Sequence, residues 1–223
     1  MEISATMVKA LRDRTQAGMM DCKTALVEAG GDEDKAVEII QKKGLAKAAK
    51  KAGAIAAEGQ IHTYLHPGSR LGVLVEVNCE TDFVARNEAF AAFVETVGLQ
   101  IASMAPEYVR KEDVPADVVE AQKALFLGQI QEEEARTGKP RPEAAIAKIT
   151  EGKLSKWITD VCLLEQACVQ DEEKTIGRMS DELTAKLGEK VAIRRFVRYQ
   201  LGEGIEKKKS DFAAEVAETL KNA

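Results

Sequence analysis

The chain has 223 residues, 45% of them hydrophobic and 4% aromatic, enough for one domain, or one with a small companion, around an aliphatic core. A net charge of −5 argues against a dedicated nucleic-acid binder, which carries a basic excess. No run of about 18 apolar residues exists to cross a membrane, and the N-terminus lacks the basic-then-apolar order of a signal peptide, so a cytosolic, cytoplasmic protein is expected.

Three short amphipathic helices are predicted over residues 1 to about 44. The first carries Met7, Val8 and Leu11 and stops near Gly18. The second starts at Asp21, carries Cys22, Ala25, Leu26 and Ala29, and closes at Gly30-Gly31. The third starts at Asp32, carries Ala36, Val37, Ile39 and Ile40, and ends at Gly44. Asp before a helix and Gly after it are the expected start and stop signals. A bundle this small has a minimal core and is marginal on its own. Lys42, Lys43, Lys47, Lys50 and Lys51 follow, mixed with alanines, in a composition that favours helix. A solvated helical linker is the simplest reading. A nucleic-acid patch would want interleaved aromatics, which are missing, and attraction to an acidic protein partner is a third option.

From about residue 54 the pattern becomes mixed. Ile61, Thr63 and Leu65 alternate with Gln60, His62 and Tyr64. Pro67-Gly68-Ser69 signals a turn, and Leu71, Val73, Val75 and Val77 mark a return strand, which together predict a hairpin. The strand runs into Thr81-Asp82-Phe83, and a helical stripe follows at Phe90, Phe93, Val94, Val97 and Ile101. Asp82 and Phe83 therefore stand at a strand-to-helix corner. Two readings fit them. Asp82 can cap the helix while Phe83 begins the core stripe, or the acid and ring can form a compact contact point.

A helix opened by Pro115 carries Val118, Val119, Leu125, Phe126 and Ile130, and Gly138-Lys139-Pro140 breaks it. A short helix at Ala144 to Ile149 is predicted to precede a stripe of Leu154, Trp157, Ile158 and Val161. Ile176, Met179, Leu183 and Leu187 make another helix, closed by Gly188. From Val191 to Leu201 a third strand is predicted, with Val191, Ile193, Val197, Tyr199 and Leu201 on one face and Arg194, Phe196, Arg198 and Gln200 on the other. It should complete the hairpin's sheet. Ser210 caps a last helix with Phe212, Val216 and Leu220.

Catalytic chemistry has little support. Cys22, Cys79, Cys162 and Cys168 show no CxxC spacing and read as small buried hydrophobes. His62 and His66 share a strand face without neighbouring carboxylates. No phosphate-binding glycine loop or nucleophile elbow is present. No enzyme activity, cofactor or metal is expected.

Two separated segments, LRDRTQAGMMDCKTAL (Leu11 to Leu26) and EVNCETDFVAR (Glu76 to Arg86), resemble the signatures of the elongation factor Ts family. The stretch LGEGIEKKKSDFAAEVAE, from Leu201 to Glu218, is also similar, so the resemblance covers essentially the whole chain. It implies an α+β fold. An N-terminal ubiquitin-associated-like three-helix bundle with its linker would span residues 1–53. A core and dimerisation domain with a three-stranded antiparallel sheet, helices and a C-terminal helix would span 54–223. The implied function is guanine nucleotide exchange on GDP-bound elongation factor Tu, with no direct nucleic-acid or membrane contact. The implied contacts are the corner Thr81, Asp82, Phe83 and Val84; Arg12, Met19, Met20 and Lys23 of the bundle, with the Met pair in the turn after the first helix; Asp211 and Phe212 of the last helix; and His66 at the hairpin turn. The longest members carry two sheet-and-helix subdomains and a coiled-coil insertion, whereas this chain has room for one such subdomain. Uncovered strand edges invite pairing with another copy, so a homodimer is expected.

Overall fold

The computed structural model describes residues 3–15 and 17–205; the predicted last helix, with Asp211 and Phe212, lies outside them. Three N-terminal helices, α1 (Ala5–Thr15), α2 (Met19–Glu28) and α3 (Glu33–Lys51), pack around Val8, Leu11, Cys22, Ala25, Leu26 and Ala36. Asp32 caps α3, its carboxylate accepting from Lys35 N at 3.1 Å. Two expectations change here. Helix α2 begins two residues early, with Gly18 at its N-cap, so Met19 and Met20 form its first turn and not a loop. Helix α3 does not stop at Gly44 but continues through the lysine-rich segment to Lys51. Gly44 is there for close approach. A Cβ on it would lie 3.3 Å from the Ala185 Cβ, in the helix α8 (Ile176–Leu187) packed alongside.

The main sheet has the order β1-β2-β5, all antiparallel: β1 (Glu58–Leu65), β2 (Leu71–Cys79) and β5 (Ala192–Gln200). Helix α5 (Glu88–Met104) lies on one face, and its whole predicted stripe is buried against Val73, Val75 and Val77. From β1 the inward residues are Gln60, His62 and Tyr64, while Ile61 and Leu65 are exposed. The helix comes close at this point, a Cβ at Gly98 meeting His62 and Tyr64 at 3.1 Å.

The predicted facing of the third strand is half right. Ile193 pairs with Val77 and is buried, but the register shifts between Glu76 and Val77. Beyond this bulge Phe196 packs on the core, whereas Val197 and Tyr199 face outward. An extra residue on one strand flips everything after it, because side chains alternate with period two. Arg194 and Arg195 both stand opposite Glu76 and hold it, at 2.8 and 2.7 Å.

Helices α6 (Ala116–Thr137) and α7 (Glu143–Val161) form an antiparallel hairpin. The separate short helix expected at Ala144 is in fact the first part of α7. Gly152 inside it is only a mild helix breaker, costing about 1 kcal/mol relative to Ala. Trp157 is half-buried in a small cluster at the base of this hairpin, with Val114, Val161 and Cys162. Strands β3 (Ala167–Cys168) and β4 (Asp171–Thr175) make a second, two-stranded sheet before α8.

Candidate functional site

The corner after β2 folds into a single helical turn, α4 (Asp82–Ala85). Four residues of helix cannot persist alone, because the nucleus costs more than its few hydrogen bonds return. Its neighbours supply the rest. Thr81 is the cap, its Oγ1 accepting from Val84 N at 3.4 Å, so the expected cap role of Asp82 passes to the residue before it. Glu189 then grips Thr81 twice, accepting from its backbone N at 3.0 Å and its hydroxyl at 2.9 Å. At the other end Gln60 Nε2 donates to Ala85 O. Beneath, the Cys79 thiol donates to Thr81 O at 3.1 Å. Burial, followed by the Glu189 charge, raises the Cys79 pKa, which keeps the thiol protonated for that bond.

The turn therefore has a fixed underside and a free top. Val84 and Ala85 are each 6% exposed and belong to the core. Val84, expected among the contact residues, is almost wholly buried and supports the corner from beneath. Phe83 is 80% exposed, and none of the core contacts expected of a first stripe residue reach it. Asp82 is also exposed and pairs with Arg86 one turn on, at 2.9 Å. Such a pair contributes roughly 0–1 kcal/mol, so Asp82 remains available to another cation.

The bundle offers a second exposed group. Met19 and Met20 are 57% and 72% exposed on the first turn of α2, and Arg12 and Lys23 are exposed nearby in sequence. Methionines suit adaptable apolar contacts. Asp21, next to Met20, pairs with Lys47 of α3 at 2.8 Å. One turn on, Lys51 pairs with Glu80 at 3.0 Å, immediately before Thr81. Residues four apart share a helix face, so one row of α3 holds both Asp21, beside the Met pair, and Glu80, just before the Phe83 corner.

His66 is not part of this grouping. It opens the hairpin turn, its Nδ1 3.1 Å from the Tyr64 hydroxyl, at the opposite end of β2 from the corner. Eight residue steps of strand put about 26 Å between the two. Glu80, Glu189 and Lys190 had no signal of their own in the sequence: each is an ordinary charged residue, and only the tertiary structure brings 189 and 190 beside 80 and 81. Among the described residues there is no cluster of three or more potential metal ligands, and no helix is long and apolar enough to cross a membrane.

A family profile described as Elongation factor TS matches residues 2–203. The chain belongs to the elongation factor Ts family. It is 54% identical to elongation factor Ts of Desulforamulus reducens over 99% of both chains. It is 55% identical to elongation factor Ts of Geobacter metallireducens, over 97% of this chain and 98% of that one. With elongation factor Ts of Myxococcus xanthus it shares 55% identity over 100% of this chain and 99% of the relative. This is a translation elongation factor, of the same length as these members of the elongation factor Ts family.

Proposed function

We propose that the chain is a guanine nucleotide exchange factor for elongation factor Tu, binding its GDP form in the cytoplasm and promoting GDP release during elongation. The observation that carries this is Phe83: a large ring held outward on a turn that is otherwise fully braced, in a member of the elongation factor Ts family. Exchange requires no covalent step, and no cofactor is invoked. The factor binds best to a partner whose nucleotide site is distorted, so it weakens GDP by the same free energy by which GDP weakens the factor.

Phe83 is the wedge. Burying one Phe contributes roughly 1.5–3 kcal/mol, which offsets part of the cost of displacing partner elements around the nucleotide and its magnesium. Asp82 brings a negative charge beside the wedge, able to disturb the balance around a bound cation. Arg12, Met19, Met20 and Lys23 anchor the bundle, which we take as residues 1–53, on the partner's G domain. Asp211 and Phe212 supply a further contact there, and His66 touches a different partner domain. Direct nucleic-acid binding is not part of this reading, because carboxylates neutralise Lys43, Lys47 and Lys51.

The core, residues 54–223, is taken to pair with a second copy. On the outer face of its sheet Leu74 stands opposite Thr63 and Val197, and Gly72 opposite Leu65 and Tyr199. Leu65, Leu74, Val197 and Tyr199 are all exposed there. A flat apolar face can meet its own copy across a two-fold axis. The deciding experiment is release of fluorescent GDP from elongation factor Tu, mixed with this protein in stopped flow. No acceleration above the spontaneous rate would remove the exchange function.

A further inference from the structure

The lysine-rich segment is the second half of α3, and three of its five lysines are paired with carboxylates. Lys43, Lys47 and Lys51 recur every four residues, so they form one row along α3, about 6 Å apart. Each meets a carboxylate from a different part. Lys43 Nζ lies 2.6 Å from Glu28 at the end of α2, and Lys47 Nζ lies 2.8 Å from Asp21 at its start. Lys51 Nζ donates to both oxygens of Glu80, at 3.0 and 3.1 Å. One helix therefore holds α2 through two rungs and the Phe83 corner through the third.

The loop after α8 completes the junction. Lys190 N donates to Glu80 at 2.7 Å, while Lys190 Nζ donates to Ala52 O at 2.6 Å and Ala54 O at 3.0 Å, just past the end of α3. Glu189 holds Thr81. These bonds hold Glu80 ionised: the Lys190 backbone, then the Lys51 side chain, lower its pKa.

We propose that Lys51, Glu80, Glu189 and Lys190 are positioning residues that set the orientation of the Met19-Met20 turn relative to the Phe83 corner. The inference rests on the exchange reading, in which both surfaces engage one partner molecule. Two contacts joined by a stiff link bind as one, because the second meets its site at high effective concentration. Orienting them beforehand also removes an ordering cost from binding. The brace side chains are not members of the hydrophobic cores and α3 also packs on α8, so their loss should leave a folded protein with a looser joint.

The test combines Lys51→Met with Lys190→Met. Spin labels at Lys9→Cys on α1 and Glu88→Cys at the start of α5 sit on exposed positions, and the four native cysteines are buried. In the free protein the label distance should be narrowly distributed, and the double variant should broaden it. In GDP release the half-saturating concentration should rise roughly fivefold, a small part of what tethering can supply, with the saturated rate kept. Lys51→Arg, with Lys190 intact, should retain both properties. An unchanged distance distribution with lost affinity would make the lysines direct contacts and overturn the proposal. A broadened distribution with an unchanged half-saturating concentration would overturn it as well. Phe83→Ala with the brace intact judges the exchange reading separately, since the distance measurement needs no partner.

Discussion

Replacing Phe83 by Ala separates a contact residue from a core residue. In the free protein 80% of Phe83 is exposed, so about one-fifth of its burial contributes to folding. Full burial of a Phe is worth roughly 1.5–3 kcal/mol. The variant should then lose about 0.3–0.6 kcal/mol of stability, little more than a surface change. The other four-fifths, roughly 1.2–2.4 kcal/mol, is available to a partner. At 1.4 kcal/mol per tenfold, its loss should slow factor-stimulated GDP release roughly 7- to 50-fold. Phe90 is the internal control: it is 0% exposed, and Phe90→Ala should cost about 3–5 kcal/mol and lower the melt sharply. Thermal unfolding gives the first quantity, and stopped-flow release of a fluorescent GDP, normalised to folded protein, gives the second. If Phe83→Ala melts like Phe90→Ala while keeping its release rate per folded molecule, Phe83 is a core residue and the wedge does not exist.

Three further outcomes can be checked. Met19→Ala with Met20→Ala should weaken the complex with elongation factor Tu by titration calorimetry while the melt stays within about 0.5 kcal/mol of the parent; unchanged affinity would remove both from the contact surface. Leu74→Lys on the outer face of the sheet should convert the proposed dimer into a folded monomer in sedimentation equilibrium, and a parent that is itself monomeric would end the dimer reading. Arg194, then Arg195, hold the Glu76 carboxyl at about 2, below its value of about 4.3 in an unfolded chain. Between those values the unfolded state binds more protons, so this group's stabilisation is complete above about pH 5 and is lost as pH falls towards 2. Glu76→Gln should flatten the pH dependence of the melting temperature in that window; an unaltered slope would show that the two arginines do not hold Glu76 in solution.

Periodicity carried most of the fold. The stripe from Phe90 to Ile101 and the row from Leu71 to Val77 repeat cleanly enough to give element, face and core together. What escaped the pattern was what periodicity does not encode. Gly44 has the composition of a stop signal, but its missing side chain serves α8, a neighbour far along the chain. The bulge at Arg194-Arg195 shows in the sequence only as Arg195 interrupting the apolar face, a signal too slight to reveal that the facing of Val197 and Tyr199 reverses. Strand β1 turns Gln60, His62 and Tyr64 inward because each has a polar or steric partner there, and hydrophobicity alone would have chosen Ile61 and Leu65. At the corner, the residue types were visible but their division of labour was not. Thr81 caps, Val84 supports and Phe83 projects, and these roles are set by tertiary partners such as Gln60 and Glu189, the latter more than a hundred residues away.

The unbroken run of α3 from Glu33 to Lys51 also limits how this chain can change length. Its first half is built into the bundle, and its second half carries Gly44 against Ala185 and Lys51 against Glu80. Each residue of an α-helix advances 1.5 Å and turns about 100°. One residue inserted between Ile40 and Gly44 would rotate the bundle by that angle, and carry Met19 and Met20 away from the side of Phe83. A loop of the same length would absorb the insertion at little cost. Here the helix acts as a ruler and a protractor at once, so this short stretch should tolerate substitutions on its solvent face far better than a single insertion or deletion.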